Sequence, residues 1–188
     1  MTSLSRLLLW KLGRVNIAPW AMPGETAVLQ RHAAGKRRLA EVGVWEGGTT
    51  RALREVMASD GVLFAIDPFP VGRLGISYQE IIAKGEVARV RNGSVVWLRT
   101  TGVRAAADAR VRSAPLDFVF IDSEHTFEAL QAEWKAWTPL ASGIVAVHDV
   151  IGDPGQGSVR FAQEHIFKDP QFTLLETIGC LAVLQRNR

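Results

Sequence analysis

The segment from Leu39 to Thr50, reading LAEVGVWEGGTT, narrows the folds open to this chain more than any other. A short apolar run enters a glycine-rich turn, and helix-compatible sequence begins at Thr49. A strand that passes through glycines into a helix is the opening unit of an open α/β sheet. It brings backbone N–H groups and a helix N-terminus to the sheet edge, where nucleotide-like ligands bind. The spacing argues against a dinucleotide. A dinucleotide fingerprint starting at Gly43 needs glycine at position 45, and that position is Trp45, whose indole would meet the pyrophosphate. The ligand expected is nucleoside-like, without a diphosphate.

The alternation continues along the chain. Strands are expected at 38–43, 61–67, 93–98, 116–122 and 144–148, and helices at 49–58, 78–90, 103–110, 126–137 and 158–167. Pro139 and Gly143 are expected to end the fourth of these helices before the fifth strand begins. Phe127, Leu130, Trp134 and Trp137 recur at helical spacing and read as core. The chain closes with an antiparallel pair, 172–177 and 181–185, around Gly179. This pattern describes a doubly wound α/β sheet, mostly parallel, with an antiparallel strand at one side. Residues 1–35 are expected to be an N-terminal helical segment that packs on the domain or a partner, and 36–188 the α/β domain.

Composition excludes several classes. With 188 residues, 47% hydrophobic and 22% charged, the chain suits one folded domain rather than a disordered one. A net charge of +3 with scattered basic residues, Lys36-Arg37-Arg38 being the only short run, does not describe a nucleic-acid surface. The single cysteine, Cys180, excludes an internal disulfide and reads as a core or hairpin residue; a reducing cytoplasm is the expected compartment. No apolar run is long enough to span a bilayer. Leu7-Leu8-Leu9-Trp10 is too short for a signal-peptide core and is expected to be an amphipathic helix packed on the domain, with a second subunit or a membrane surface as alternatives. A homodimer stays open.

In such sheets ligands sit beyond the C-terminal strand ends, so polar residues that end apolar strands are the candidates. Asp67 ends the second strand about twenty residues after the glycine turn, where an acid can accept both ribose hydroxyls; capping ahead of Pro68 is its structural alternative. Glu41, inside the first strand, divides evenly between a structural and a ligand role. Asp122 and Asp149 end strands expected to be neighbours. Two such carboxylates suit a hard cation such as Mg²⁺, and equally suit orienting a base or a substrate hydroxyl without metal. His125 follows Asp122 by three residues and His148 precedes Asp149, and either imidazole beside a carboxylate is a candidate general base.

With these residues in place the chain resembles the class I S-adenosylmethionine-dependent methyltransferases, and among them the small O-methyltransferases of the catechol and macrocin type, methyltransferase family 24. Glu41-Val42-Gly43-Val44-Trp45-Glu46-Gly47 is similar to their first motif and Phe64-Ala65-Ile66-Asp67-Pro68-Phe69 to their second. Phe120-Ile121-Asp122-Ser123-Glu124-His125-Thr126-Phe127 resembles their Ile-Asp-Gly-Asp-His-Ser-Tyr block, and 140–149, ending His148-Asp149, the block after it. The resemblance spans about 38–185. It implies a Rossmann-like seven-stranded sheet in the order 3-2-1-4-5-7-6 with helices on both faces. It also implies that Glu41, Gly43, Val44, Trp45, Gly47, Asp67, Pro68, Thr101 and Asp122 hold S-adenosylmethionine, with the turn 99–102 near the adenine.

Two departures stand out. Val150 replaces the asparagine that in catechol-type enzymes completes an Mg²⁺ site with the acids matching Asp122 and Asp149, and Ser123-Glu124 replaces Gly-Asp. No equivalent of their catalytic lysine is evident, which throws weight onto His125, His148 and Asp149 as the catalytic set. The implied reaction is methyl transfer to a hydroxyl of a small molecule or sugar. The alternatives are an RNA methyltransferase and a non-catalytic interaction module. Trp45 is expected to pack under the turn. Acceptor choice is expected to reside in 70–77, 151–157 and the N-terminal helix.

Overall fold

Period-two alternation along the strands divides the interior into two layers, one on each side of a single sheet. In the computed structural model, which describes residues 4–72 and 75–187, the chain runs α1 (Leu4–Lys11), α2 (Pro23–Ala33), β1 (Arg38–Val42), α3 (Gly48–Val56), β2 (Val62–Ile66), α4 (Tyr78–Val87) and β3 (Ser94–Leu98). It continues through α5 (Gly102–Ala105), α6 (Ala109–Arg112), β4 (Leu116–Ile121), α7 (Phe127–Trp137), β5 (Ala141–Val147), α8 (Gly157–Glu164), β6 (Phe172–Ile178) and β7 (Leu181–Arg186). Residues 1–3 of the N-terminal segment, 73–74 of the stretch 70–77, and 188 lie outside the described residues.

The sheet order is β3-β2-β1-β4-β5-β7-β6, with β1 to β5 parallel and β7 antiparallel to both its neighbours. This is the expected Rossmann-like arrangement. Ala40, Val42, Val119, Ile121, Val145 and Val147 face one way and pack under α5 to α8, where Leu130, Trp134 and Trp137 bury the aromatic stripe of α7. Leu39, Leu63, Phe118, Phe120, Ile144 and Ala146 face the other way against α2 and α3. Central strands are thus apolar on both faces because both faces are covered. α1 packs beside α4 through Leu7, Ile17 and Ile82. Among the described residues no helix is long and apolar enough to cross a membrane.

Three local expectations change. The helix at 103–110 is two short helices, because the Asp108 side chain accepts a hydrogen bond from Arg110 N and caps a new start. β5 begins at Ala141, so Gly143 lies inside the strand, where a Cβ would come 2.3 Å from Asp117 O; a register irregularity between Leu116 and Phe118 faces it. Trp45 does not pack under its turn. It is 41% exposed and tilts against Trp20 with ring centroids 6.0 Å apart.

Candidate active site

Four parallel strands deliver one group each to the same edge, because the ladder continues one residue beyond each of them. Asp67 N bonds Leu98 O at 3.2 Å, Gly43 N bonds Ile66 O at 2.9 Å, Asp122 N bonds Val42 O at 2.8 Å and His148 N bonds Ile121 O at 3.0 Å. Strand order reverses between β1 and β4, so Gly43 and Asp122 flank the switch point at which open sheets bind ligands. Their approach is tight: a Cβ on Gly43 would lie 1.8 Å from Asp122 O. Gly47, at φ +81°, presses in the same way on the backbone of Ala83 in α4. Trp45 (φ 53°), Phe69 (φ 45°) and Asp149 (φ 53°) adopt positive φ, and each follows a strand end at this edge. Backbone strain of this kind, about 1–3 kcal/mol per residue, gathers at ligand sites.

A cavity of about 650 Å³ lies at this edge. Of the residues expected to hold a ligand, Gly43, Val44, Trp45, Asp67, Pro68, Thr101 and Asp122 line it, whereas Glu41 and Gly47 do not. The Asp67 carboxylate is fixed by donors: Oδ1 accepts from Phe69 N at 2.7 Å, and Oδ2 from Trp45 N at 3.0 Å, Val44 N at 3.2 Å and Gln79 Nε2 at 3.3 Å. Oδ1 therefore keeps a lone pair for a ligand hydroxyl. Glu41 shares the sheet face of Leu39 and is fully buried, with neither oxygen partnered among the described residues. Burial pushes its pKa well above the usual carboxylate range; the neighbouring Thr50 hydroxyl opposes the rise, while Asp122 and Asp67 add to it.

Two histidines part company here. His125 lines the cavity, is half exposed, and places Nδ1 3.1 Å from Asp149 Oδ2. It is held from behind by the start of α8, where Ser158 N donates to His125 O at 3.0 Å. His148 is 7% exposed and lies away from the cavity lining. Its Nδ1 stands 3.3 Å from Asp122 Oδ1 and 3.5 Å from Asp149 Oδ2, and its Nε2 3.2 Å from Glu25 Oε2. Burial alone would depress its pKa, but Asp122, Glu25 and Asp149 together carry it up to about 9. These carboxylates hold His148 toward its charged form, whereas His125 is the histidine that faces the cavity and is placed to take a proton.

The sequence expectation of an Mg²⁺ site at Asp122 and Asp149 can be tested on the donors present. The two carboxylates do converge, but the group between them is the His148 imidazole, and the neighbouring Val150 is apolar and fully buried. Two carboxylates with an imidazole between them do not make the oxygen-rich shell a hard cation requires. The residues do not fit that ion.

Sequence reasoning missed several lining groups. Glu133 on α7 lines the cavity and accepts a hydrogen bond from Ser123 Oγ at 2.5 Å. Ile17, Ala18 and Trp20 of the N-terminal segment also line it, and Glu25 reaches His148 from α2. None belongs to a motif. The one local signal was Pro23 followed by Glu25, a helix start whose carboxylate accepts from Met22 N at 2.7 Å.

The family described as a methyltransferase domain matches residues 40–150, more than half of the chain. Among solved structures the chain is similar to a protein from Corynebacterium glutamicum, at 18% identity over 97% of this chain and 88% of that one, with a TM-score of 0.71. It is also similar to an O-methyltransferase from Bacillus cereus in complex with SAH, at 20% identity over 98% and 90% of the two chains, TM-score 0.65. A third likeness is to the N-methyltransferase NodS from Bradyrhizobium japonicum in complex with S-adenosyl-L-homocysteine, at 14% identity over 95% and 98%, TM-score 0.65. At such identities the likeness is one of fold.

Proposed function

The chain belongs to the methyltransferase-domain family, and on that premise we propose that it moves a methyl group from S-adenosylmethionine to a hydroxyl of a small-molecule acceptor. The observation that carries the reading is that one cavity joins a nucleoside-type end, Asp67 with the Gly43 turn, to a base end, His125 backed by Asp149. The cofactor supplies an electrophilic methyl on a sulfonium. The donor set suits it: Asp67 keeps acceptor capacity for a ribose hydroxyl, Thr101 and Gly102 offer a wall of small residues, and Trp45 leaves no glycine for a pyrophosphate.

The chain's own contribution to the reaction is position and proton transfer. A hydroxyl must lose its proton as the new bond forms. His125 can receive it at Nε2 when Asp149 holds Nδ1–H, and Asp149 then stabilises the imidazolium. His148, with Nδ1 3.3 Å from Asp122 Oδ1 and 3.5 Å from Asp149 Oδ2, holds those carboxylates in place. Aligning acceptor and methyl within one cavity supplies much of the rate, because it removes orientational entropy before reaction. The preference for a hydroxyl acceptor rests on this base pair.

Calorimetric titration with S-adenosylhomocysteine tests the reading. Saturable binding is expected, weakened about 10- to 100-fold in Asp67→Ala through loss of hydrogen bonds to a charged acceptor. No binding at millimolar ligand would sink the proposal. With labelled S-adenosylmethionine and a panel of hydroxylated small molecules, His125→Ala should lower kcat by about 10²- to 10⁴-fold with cofactor affinity unchanged.

A further inference from the structure

Behind the cavity, three elements distant in the chain bring together a carboxylate, an imidazole and a thiol. Glu25 comes from α2, His148 from the end of β5, and Cys180 from the turn between β6 and β7. Cys180 Sγ lies 3.3 Å from His148 Nε2 and 3.3 Å from Glu25 Oε1, and His148 Nε2 lies 3.2 Å from Glu25 Oε2. We propose that Glu25, His148 Nε2 and Cys180 form a binding site for a borderline divalent cation of the Zn²⁺ class, which pins α2 and the β6–β7 turn to the sheet edge.

Geometry supports this first. A tetrahedral zinc ion with bonds of about 2.0–2.3 Å holds its ligand atoms about 3.3–3.7 Å apart; Sγ and Nε2 stand 3.3 Å apart, and each has one Glu25 oxygen beside it, Oε1 at 3.3 Å from Sγ and Oε2 at 3.2 Å from Nε2. The donor set is one nitrogen, one sulfur and one oxygen, which suits zinc and does not suit Mg²⁺. Three protein ligands leave the fourth position to a water molecule, and of the three residues only Cys180 is half-buried rather than buried.

The surroundings are those of a held ligand set. A histidine that binds metal through one nitrogen turns the other toward a carboxylate, which fixes its tautomer. His148 Nδ1 lies 3.3 Å from Asp122 Oδ1, an ion-pair distance outside hydrogen-bond geometry, and that leaves Nε2 for the ion. The Glu25 oxygens are oriented by Met22 N at 2.7 Å and Cys180 N at 2.8 Å. Gly179, at φ +56°, makes room for that carboxylate, since a Cβ there would lie 2.3 Å from Glu25 Oε1. Among the described residues no lysine or arginine pairs with Glu25, Asp122 or Asp149, so the negative charge gathered around His148 is not offset by a longer cationic side chain. Binding converts the thiol to thiolate and takes the proton from His148 Nε2, so both protons are released to solvent.

The test needs neither cofactor nor acceptor, so its failure is separate from that of the methyltransferase reading. The chelator-treated full chain is titrated with Zn²⁺ against a chromophoric competitor, and in parallel with Co²⁺. One equivalent is expected, with a thiolate-to-cobalt charge-transfer band and protection of Cys180, the chain's only cysteine, from alkylation. Cys180→Ser, which is nearly isosteric, should abolish the band and weaken Zn²⁺ binding roughly 100-fold or more, and Asp122→Asn should weaken it about 10- to 100-fold while the band persists. Circular dichroism confirms that each variant is folded. Absence of Zn²⁺ binding at micromolar metal, or Co²⁺ binding by the wild type without the band, would overturn the site. Zn²⁺ affinity unchanged in Cys180→Ser would do the same.

Discussion

Glu133 lies against the cavity with its carboxyl pushed up to about 7, chiefly by burial, with the Ser123 hydroxyl opposing the rise and the charge of Glu124 adding to it. An acid whose folded pKa stands above its unfolded value of 4.5 holds its proton longer in the native state. Stability therefore falls as pH rises from about 4.5 to 7, by up to about 3 kcal/mol. His148 behaves differently in origin and alike in sign. Its folded pKa of about 9 exceeds the ordinary 6.5, so its contribution is complete below 6.5 and is lost as pH rises through 9. Urea denaturation of chelator-treated protein should show both declines, and Glu133→Gln should remove the lower one and leave the upper. An unchanged slope between pH 5 and 7 in that variant would contradict the assignment. Asp67 and Asp122 were legible as site residues because each directly follows an apolar run, and His125 because it stands just before the cap of the next helix, Thr126. Glu133 was not, since a glutamate on the flank of an amphipathic helix looks like any solvated residue until the helix is packed.

At the scale of elements the glycine turn carries the clearest demand. Gly43→Ala places a methyl 1.8 Å from the Asp122 carbonyl at φ +96°, between two strands that cannot separate without losing their ladder. No folded protein is expected from it, as read by soluble yield and circular dichroism. Gly47→Ala meets the Ala83 backbone at 2.8 Å in a left-handed conformation, and a loss of about 1–3 kcal/mol in urea denaturation is expected. The turn was readable in the sequence because glycines between a strand and a helix have few other uses. The division of 103–110 into α5 and α6 was not, although Asp108 stood in view; helical residues on both sides masked a cap inside the run.

For the whole molecule, the N-terminal segment supplies part of the cavity wall through Ile17, Ala18 and Trp20. Gly48 is the first residue of α3 with ordinary helical backbone, so Gly48→Ala should by local propensity strengthen the helix by up to about 1 kcal/mol. Its new Cβ would lie 2.2 Å from Ala18 O, however, and Ala18 belongs to the segment that lines the cavity. The expected result is faster proteolysis before α2 and weaker binding of S-adenosylhomocysteine. A simple gain in stability with affinity unchanged would show that the segment does not close the site. The sequence by itself determined the order of elements, the parallel sheet and the acids and histidines at its strand ends. Side-chain periodicity and turn chemistry act over a few residues and need no partner. Only the tertiary structure decided which of those groups meet. Glu25 and His148 are 123 residues apart, and Ser123 meets Glu133 through the fold of α7. Such contacts depend on how helices seat on the sheet and on which side chains burial then forces together, and no local spacing records that.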